Sequence, residues 1–172
     1  MDRDGGAIVT TRRTILLGGG ALAAVAAAGG AALRIGREEP GGFEVSLAEA
    51  EWRERLTPQE FAVLREHATE APFSSPLDAV SEPGTFSCAG CGHALFSTEA
   101  KFDSGTGWPS FTAPLDGAVG TRADYSLVIP RTEVHCARCG GHLGHVFEDG
   151  PAPTGLRYCM NGVAMDFESL AA

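Results

Sequence analysis

Three cysteines and two histidines lie close together in the C-terminal third of this 172-residue chain. Cys136 and Cys139 form a CxxC pair, whereas Cys159 has no cysteine neighbour. His142 and His145 lie between the pair and the single thiol. Paired thiols at this spacing bind metal ions or form redox disulfides, and a lone thiol beside histidines can act as a nucleophile. The arrangement indicates a metal site next to a reactive thiol and its acid–base partners.

A second CxxC pair, Cys88 and Cys91, is nearly a copy of the pair Cys136 and Cys139, and each pair is followed by a glycine. In such a knuckle the chain turns tightly, so that two thiolates face one ion. Two knuckles supply four sulfur ligands, a set that favours one zinc ion, with iron as the main competitor. Because four protein ligands leave no open position, this zinc would be structural. If the pairs are instead redox motifs, Cys159 is still the cysteine left over.

The residues next to Cys159 indicate how its thiol would be activated. The segment from Arg157 to Asn161 has the pattern of a β-strand, in which side chains at alternate positions share one face. Arg157, Cys159 and Asn161 therefore share a face. Because a nearby cation lowers the pKa of a thiol, we expect Arg157 to favour the thiolate. The alternative, a buried and inert cysteine, does not fit a face with two polar neighbours.

Three further side chains are candidates for the same site. His142 and His145 can donate protons near neutral pH, although a structural role is open for either. Trp108 lies in a loop with two glycines and a proline, where its ring would either wall an apolar pocket or pack in the core. His67 and His135 are interpreted as structural histidines.

Short β-strands are the elements that must position these residues. From residue 85 onward, short apolar runs alternate with Gly, Pro, Asp and Asn, a pattern typical of an antiparallel sandwich or barrel. The predicted strands are residues 85–88, 94–97, 110–112, 126–129, 132–136, 145–148, 156–161 and 164–167.

Two helical segments are predicted before the strands. Residues 46–56 have helical composition. Thr57, Pro58 and Glu60 then form a strong helix start, with Thr57 as N-cap, proline at the first helical position and a capping box. We expect this helix to fade near residues 67–69.

The N-terminus reads as a targeting segment. Arg12 and Arg13 precede an apolar stretch rich in Ala and Gly, which is typical of a twin-arginine leader. Small residues near its end suit cleavage, yet ~20 apolar residues would also span a bilayer, so an uncleaved anchor stays open. We predict a leader over residues 1–36, a linker over 37–45 and one catalytic domain over 46–172. The expected location is periplasmic or otherwise extracytoplasmic, with membrane contact only through an uncleaved leader.

The charge of the chain narrows the choice of partners. Its formal net charge is −9 at pH 7. Nucleic acids and anionic membrane surfaces require a basic face, so neither is an expected partner. We expect a monomer.

An ordered set of motifs from about residue 52 to residue 167 resembles the B-type peptide methionine sulfoxide reductases, which reduce methionine-R-sulfoxide. The motifs are LTP at 56–58, TEAPF at 69–73, the two knuckles, KFDSGTGWPSF at 101–111, EV at 133–134, HLGHVFEDGPAPTG at 142–155 and RYCMN at 157–161. The resemblance implies a mainly β domain of two antiparallel sheets, a β-tent-like sandwich with short N-terminal helices. It also implies structural zinc on the four knuckle cysteines.

The resemblance further implies a role for each candidate residue. It places the nucleophile at Cys159 and groups His142, His145 and Asn161 around the sulfoxide oxygen. Trp108 would contact the substrate methyl group, and we count Arg157 with it among the substrate-binding residues. Attack of Cys159 on the sulfoxide, in a protein or peptide, would release methionine and leave a sulfenic acid. A thioredoxin-like protein or another thiol would then restore Cys159.

This chain departs from the family pattern at two positions. Many members carry a resolving cysteine where this chain has Thr106, so we predict no intramolecular disulfide in the cycle. Gly162 stands where the family usually has serine, which affects a local hydrogen bond near Asn161.

Two other functions fit the residues less well. A non-enzymatic zinc module has no reason to keep Trp108, His145, Cys159 and Asn161 together. A zinc hydrolase or deaminase needs an open metal position, which four cysteine ligands do not leave, and the chain has no HxE motif.

Overall fold

The computed structural model describes residues 42–170. The leader predicted for residues 1–36 and the first part of the linker predicted for 37–45 lie outside the described residues. Within the described range, the helices are too short and too polar to cross a membrane.

Two short helices open the described part of the chain: α1, Glu49–Arg55, and α2, Pro58–Glu66. The capping box predicted for α2 is confirmed, because Glu60 N donates to Thr57 Oγ1 at 3.3 Å and Thr57 N donates to the Glu60 carboxylate at 2.7 Å. The helix ends where His67 adopts a left-handed conformation with φ 59°.

Nine strands of the described residues form two antiparallel sheets. The strands are β1 Gly84–Cys88, β2 Ala94–Ser97, β3 Lys101–Phe102, β4 Ser110–Phe111, β5 Val119–Asp124, β6 Arg131–Cys136, β7 His142–Phe147, β8 Arg157–Met160 and β9 Met165–Ser169. One sheet has the order β2-β1-β9, and the other has the order β3-β4-β8-β7-β6-β5. Three 3₁₀ turns lie at Pro76–Ala79, Thr98–Ala100 and Gly162–Ala164. The expected mainly β fold of two antiparallel sheets is confirmed.

One predicted strand is wrong. Residues 126–129 form the turn of the β5–β6 hairpin, and their apolar side chains are exposed. The true strand is β5, whose mixed sequence VGTRAD lacks the apolar alternation on which the prediction relied. In addition, β7 begins at His142, three residues before the predicted start, so both candidate histidines lie on one strand.

Aromatic packing joins the two sheets. Phe86 of β1 and Phe96 of β2 contact Phe111 of β4, with ring centroids 5.0 and 4.3 Å apart, and all three side chains are fully buried. Burial of each ring stabilises the fold by about 1.5–3 kcal/mol. Because Phe111 is fixed in this core, the adjoining Ser110 and the loop before it are also held in place.

Strand β8 runs through the middle of the larger sheet, between β4 and β7. Cys159 on β8 is therefore paired with Ser110 on one side and with His145 on the other. Directly opposite side chains in an antiparallel pair lie ~5 Å apart at their Cβ atoms. The sheet thus brings a thiol, a hydroxyl and an imidazole together.

Candidate active site

A pocket of about 140 Å³ opens beside Cys159. Four of the predicted site residues line it: Trp108, His145, Cys159 and Asn161. Arg131 and Thr69, which the sequence did not single out, line it as well. His142 and Arg157 are not among the lining residues, so their predicted contact with substrate stays a prediction.

Hydroxyl groups surround one side of the thiol. Thr106 Oγ1 lies 3.9 Å from Cys159 Sγ and 2.8 Å from Ser104 Oγ. Ser104 Oγ also lies 2.8 Å from Ser110 Oγ, so the three hydroxyls form a connected chain. A hydroxyl can both donate and accept a hydrogen bond, so these three hydroxyls can hydrogen-bond to Cys159 as a thiol, a thiolate or a sulfenic acid.

The thiol is protonated at neutral pH. Burial raises the pKa of Cys159 above its ordinary value, and the Thr106 hydroxyl, the Arg157 guanidinium and the Ser110 hydroxyl only partly oppose this. Arg157 thus lowers the pKa of the thiol, as expected, but burial outweighs its effect. The Arg157 guanidinium donates two hydrogen bonds to Asp149, at 2.9 and 2.8 Å, and this carboxylate offsets its field at the thiol.

His145 carries a carboxylate partner. Its Nε2 lies 2.7 Å from Asp124 Oδ2, at the end of β5. A carboxylate only accepts, so Nε2 holds the proton and Nδ1 of the neutral ring is an acceptor. Burial lowers the pKa of His145, although the bond to Asp124 works in the opposite direction. His145 is thus a neutral base at pH 7, with a partner that stabilises its protonated form.

His142 lies behind His145, with the ring centroids 5.4 Å apart. Its Nδ1 is 2.8 Å from Glu133 Oε1, and its Nε2 is buried without a hydrogen-bond partner among residues 42–170. His67 Nδ1 lies 3.2 Å from the same Glu133 oxygen, and Arg122 also donates to this carboxylate. Although burial alone would raise the pKa of Glu133, the hydrogen bonds from His142 and Arg122 lower it to about 2.

These three residues could in principle hold a cation. His67, Glu133 and His142 each offer one ligand atom within 4.8 Å of the others. However, Arg122 already neutralises the Glu133 carboxylate, which makes a cation at this position unfavourable. The group is better understood as a hydrogen-bonded support for the histidine pair.

Glu70 fixes two residues of the pocket. Its backbone N donates to Asn161 Oδ1 at 3.0 Å, and its backbone O accepts from Trp108 Nε1 at 3.2 Å. Asn161 Nδ2 donates to Leu143 O at 3.0 Å, which leaves one amide hydrogen for another acceptor. The buried Glu70 carboxylate accepts from the backbone N of Gly162 and of Val163. Glu70 thereby ties the turn after β8 to the wall of the pocket.

No role in the site is predicted from the sequence for the carboxylates Glu70, Asp124 and Glu133, and His67 is interpreted there as a structural histidine. A usable signal existed for Glu133, because a carboxylate in the interior of a predicted strand requires a partner if the strand is buried. No comparable signal marks Asp124, whose role depends on the pairing of β5 with β6 and of β6 with β7.

The four knuckle cysteines form a separate cluster. Their Sγ atoms all lie within 4.8 Å of one another, with Cys88 to Cys139 at 3.7 Å and Cys91 to Cys136 at 3.6 Å. A disulfide would need about 2.05 Å. Tetrahedral zinc with Zn–S of about 2.3 Å places sulfurs about 3.8 Å apart. The spacing therefore fits four ligands of one metal ion rather than two disulfides.

The cysteine cluster also connects the two sheets. Cys88 ends β1 of the smaller sheet, and Cys136 ends β6 of the larger sheet. The last residues of the predicted linker reach this cluster, since Glu44 pairs with Arg138 and Val45 N donates to Arg138 O at 3.0 Å. A metal ion here would join the two sheets at a position separate from the pocket.

Several known proteins similar to this chain are peptide methionine sulfoxide reductases named MsrB. A family model described as the SelR domain matches residues 56–169. The peptide methionine sulfoxide reductase MsrB of Bradyrhizobium diazoefficiens is 55% identical over 126 residues, covering 73% of this chain and 91% of that protein. The MsrB proteins of Agrobacterium fabrum and Leptospira interrogans are 52% and 47% identical, covering 93% and 97% of their own lengths.

Proposed function

Because the chain belongs to the SelR-domain family of MsrB proteins and is a peptide-methionine (R)-sulfoxide reductase, we propose that Cys159 is its nucleophile. The observation that supports this most directly is the pairing of Cys159 with His145 across β8 and β7, at the wall of one pocket that also contains Trp108. Cys159 is also the one cysteine outside the four-sulfur cluster.

The chemical step transfers one oxygen atom. The Cys159 sulfur attacks the sulfoxide, the S–O bond of the substrate breaks, and an S–O bond to Cys159 forms. The substrate sulfur gains two electrons and becomes the thioether of methionine, while Cys159 loses two and becomes a sulfenic acid. The thiol proton ends on the transferred oxygen, so the step needs no other co-reactant.

The pKa directions of Cys159 and His145 explain how this proton moves. At rest the thiol is protonated and the imidazole is neutral, so the pair holds one transferable proton. Transfer from Cys159 to His145 Nδ1 creates a thiolate and an imidazolium, and the Asp124 carboxylate stabilises the latter. The imidazolium then donates to the sulfoxide oxygen, which makes the substrate sulfur electrophilic as the thiolate attacks.

Trp108 provides an apolar surface for the methyl group of the substrate. Its indole is held by the hydrogen bond to Glu70 O, and Phe147 lines the same pocket. Sulfur and S-methyl groups make favourable contacts with aromatic rings. Asn161 can direct its remaining amide hydrogen toward the sulfoxide oxygen. His142 acts indirectly, through its contact with His145. Arg157 acts indirectly, through the positive charge that it places near Cys159.

An external thiol completes the cycle. One thiol attacks the sulfenic acid, releasing water and forming a mixed disulfide with Cys159, and a second thiol releases the free enzyme. The donor is a thioredoxin-like protein or a small thiol. Without reductant, the enzyme should form one methionine per chain and then stop, and continued turnover under those conditions would exclude this cycle.

One zinc ion on the four-cysteine cluster has a structural role in this proposal. Zinc held by Cys88, Cys91, Cys136 and Cys139 supplies cross-linking of the two sheets and no open position for substrate. We expect one zinc per chain by elemental analysis and loss of the cooperative unfolding transition after its removal. A zinc-free chain with an unchanged melting temperature would contradict this role.

The N-terminal leader determines where in the cell the enzyme acts. A twin-arginine signal over residues 1–36 would export the folded domain as a monomer, to repair oxidised proteins outside the cytoplasm. Replacing both arginines, Arg12→Lys with Arg13→Lys, should leave the protein in the cytoplasm in cell fractionation. Unchanged export would reject the twin-arginine route without affecting the assignment of Cys159.

A further inference from the structure

The turn of the β5–β6 hairpin exposes a group of apolar side chains to solvent. Its members Tyr125, Leu127, Val128 and Ile129 are 75%, 58%, 101% and 76% exposed. Residues 125–130 include no charged residue. A contiguous exposed apolar patch on a soluble domain usually marks an interaction site. We call residues 125–129 the apolar tip.

The apolar tip is continuous with the pocket. Asp124, immediately before it, is the hydrogen-bond partner of His145. Arg131, immediately after its proline, lines the pocket. Asp124 and Arg131 are paired across the hairpin and joined by an ion pair of 2.7 Å. The tip is thus the outward extension of a strand pair whose base forms part of the candidate active site.

Two further features lie next to the same pocket. Arg131 Nε is buried and has no hydrogen-bond partner among the described residues, so it can donate to an acceptor that enters the pocket. Phe73 is 72% exposed, and its backbone N donates to Gly107 O at 2.7 Å, beside Trp108. Exposed apolar side chains therefore extend from two segments that adjoin the pocket.

The chemistry of the substrate indicates what covers this surface. Methionine is an apolar residue that folded proteins usually bury, so its neighbours in the sequence are often apolar too. When such a segment unfolds or oxidises, both the sulfoxide and these neighbours become accessible. We propose that the apolar tip binds the apolar residues that flank an oxidised methionine in an unfolded polypeptide, while the sulfoxide occupies the pocket. This inference rests on the proposed function.

Three substrates and three proteins test the proposal. The substrates are a methionine-R-sulfoxide peptide flanked by leucine and valine, a peptide of equal length flanked by serine and glycine, and free N-acetylmethionine-R-sulfoxide. The proteins are the wild type, the double variant Val128→Ser with Ile129→Ser, and the control Leu170→Ser, which changes an exposed apolar residue beyond β9. The measured quantity is the ratio of kcat/KM for the apolar peptide to that for the polar peptide.

We expect the wild type to favour the apolar peptide, and the double variant to lower that ratio roughly tenfold through KM. The control should keep the wild-type ratio. Equal kcat/KM for both peptides in the wild type, or an unchanged ratio in the double variant, would overturn the docking surface. If the wild type reduces none of the three substrates, the proposed function itself fails, so the two failures are distinguishable.

Two other binding partners of the apolar tip would give different experimental results. A second copy of the chain would produce a dimer in sedimentation equilibrium that the double variant loses. A lipid surface would produce sedimentation with neutral phosphatidylcholine vesicles that the double variant loses. Either result would assign the apolar tip to that partner and overturn the proposal.

Discussion

Thr106 Oγ1 lies 3.9 Å from Cys159 Sγ, in the position from which a second thiol could attack an oxidised Cys159. The hydroxyl cannot do so, because it forms no disulfide. It instead connects the thiol with Ser104 and Ser110. In the proposed cycle, the sulfenic acid at Cys159 therefore persists until an external thiol arrives, within a set of hydroxyls that can hydrogen-bond to it.

A cysteine at position 106 should change how the cycle ends. After one turnover without reductant, we expect the wild type to lose one free thiol and to react with a sulfenic-acid probe. Thr106→Cys should lose two thiols and fail to react with the probe, because the new thiol is close enough to form a disulfide with Cys159. Thiol counting on the denatured, zinc-free protein and mass spectrometry measure both quantities.

The matched control is Ser169→Cys, which adds an exposed cysteine on β9 of the other sheet. It should keep the sulfenic acid and lose one thiol, as the wild type does. An internal disulfide involving Cys159 in the wild type would sink the proposed recycling by an external thiol.

The pH dependence of kcat/KM should show a plateau between two limbs. Activity should fall at acid pH as His145, whose pKa lies below its ordinary value, becomes protonated while the thiol is still protonated. It should fall at alkaline pH as Cys159, whose pKa is raised, loses its proton while His145 is neutral. Between these limits the pair retains its single transferable proton, so the rate is constant. Steady-state assays across the pH range measure this profile.

Asp124→Asn provides the critical variant for that profile. Removing the carboxylate removes an interaction that raises the pKa of His145, so the acid limb should move to lower pH. The thiolate–imidazolium pair is then less populated, and the plateau should fall roughly tenfold for each unit of that shift. A lower plateau without any shift of the limb would show that Asp124 only orients the ring.

Gly162 lies so close to Ser75 that a side chain at position 162 does not fit. A Cβ atom at position 162 would overlap the Ser75 side chain, which caps the turn at Pro76–Ala79. Gly162→Ser should therefore destabilise the domain by about 1–3 kcal/mol, which corresponds to a drop in Tm of roughly 3–10 °C. The double variant Gly162→Ser with Ser75→Gly should recover most of that loss in calorimetry, and an undiminished Tm of the single variant would refute the clash.

Much of this arrangement could be predicted from the sequence. The two knuckles identified the sulfur cluster because ligand spacing is local, and the capping box identified the start of α2 for the same reason. Turn residues between short apolar runs predicted an antiparallel sandwich or barrel, and the family resemblance implied two antiparallel sheets. Cys159 stood out because the other four cysteines form matched pairs.

The rest depended on tertiary contacts that no local pattern encodes. Asp124 reaches His145 only because β5 pairs with β6 and β6 with β7. The apolar run at 126–129 looked like a buried strand, yet it forms an exposed turn. Arg157 lowers the pKa of Cys159 as expected, but burial, which depends on the packed fold, outweighs that cation, which is paired with Asp149.

The central claim, that Cys159 reduces the R epimer, is tested most directly with the separated R and S epimers of one methionine sulfoxide peptide. The wild type and Cys159→Ser are assayed side by side with dithiothreitol, and circular dichroism confirms that the variant is folded. We predict that the wild type reduces only the R epimer and that the variant reduces neither. Reduction of the S epimer alone, or reduction of the R epimer by the folded variant, would contradict the assignment.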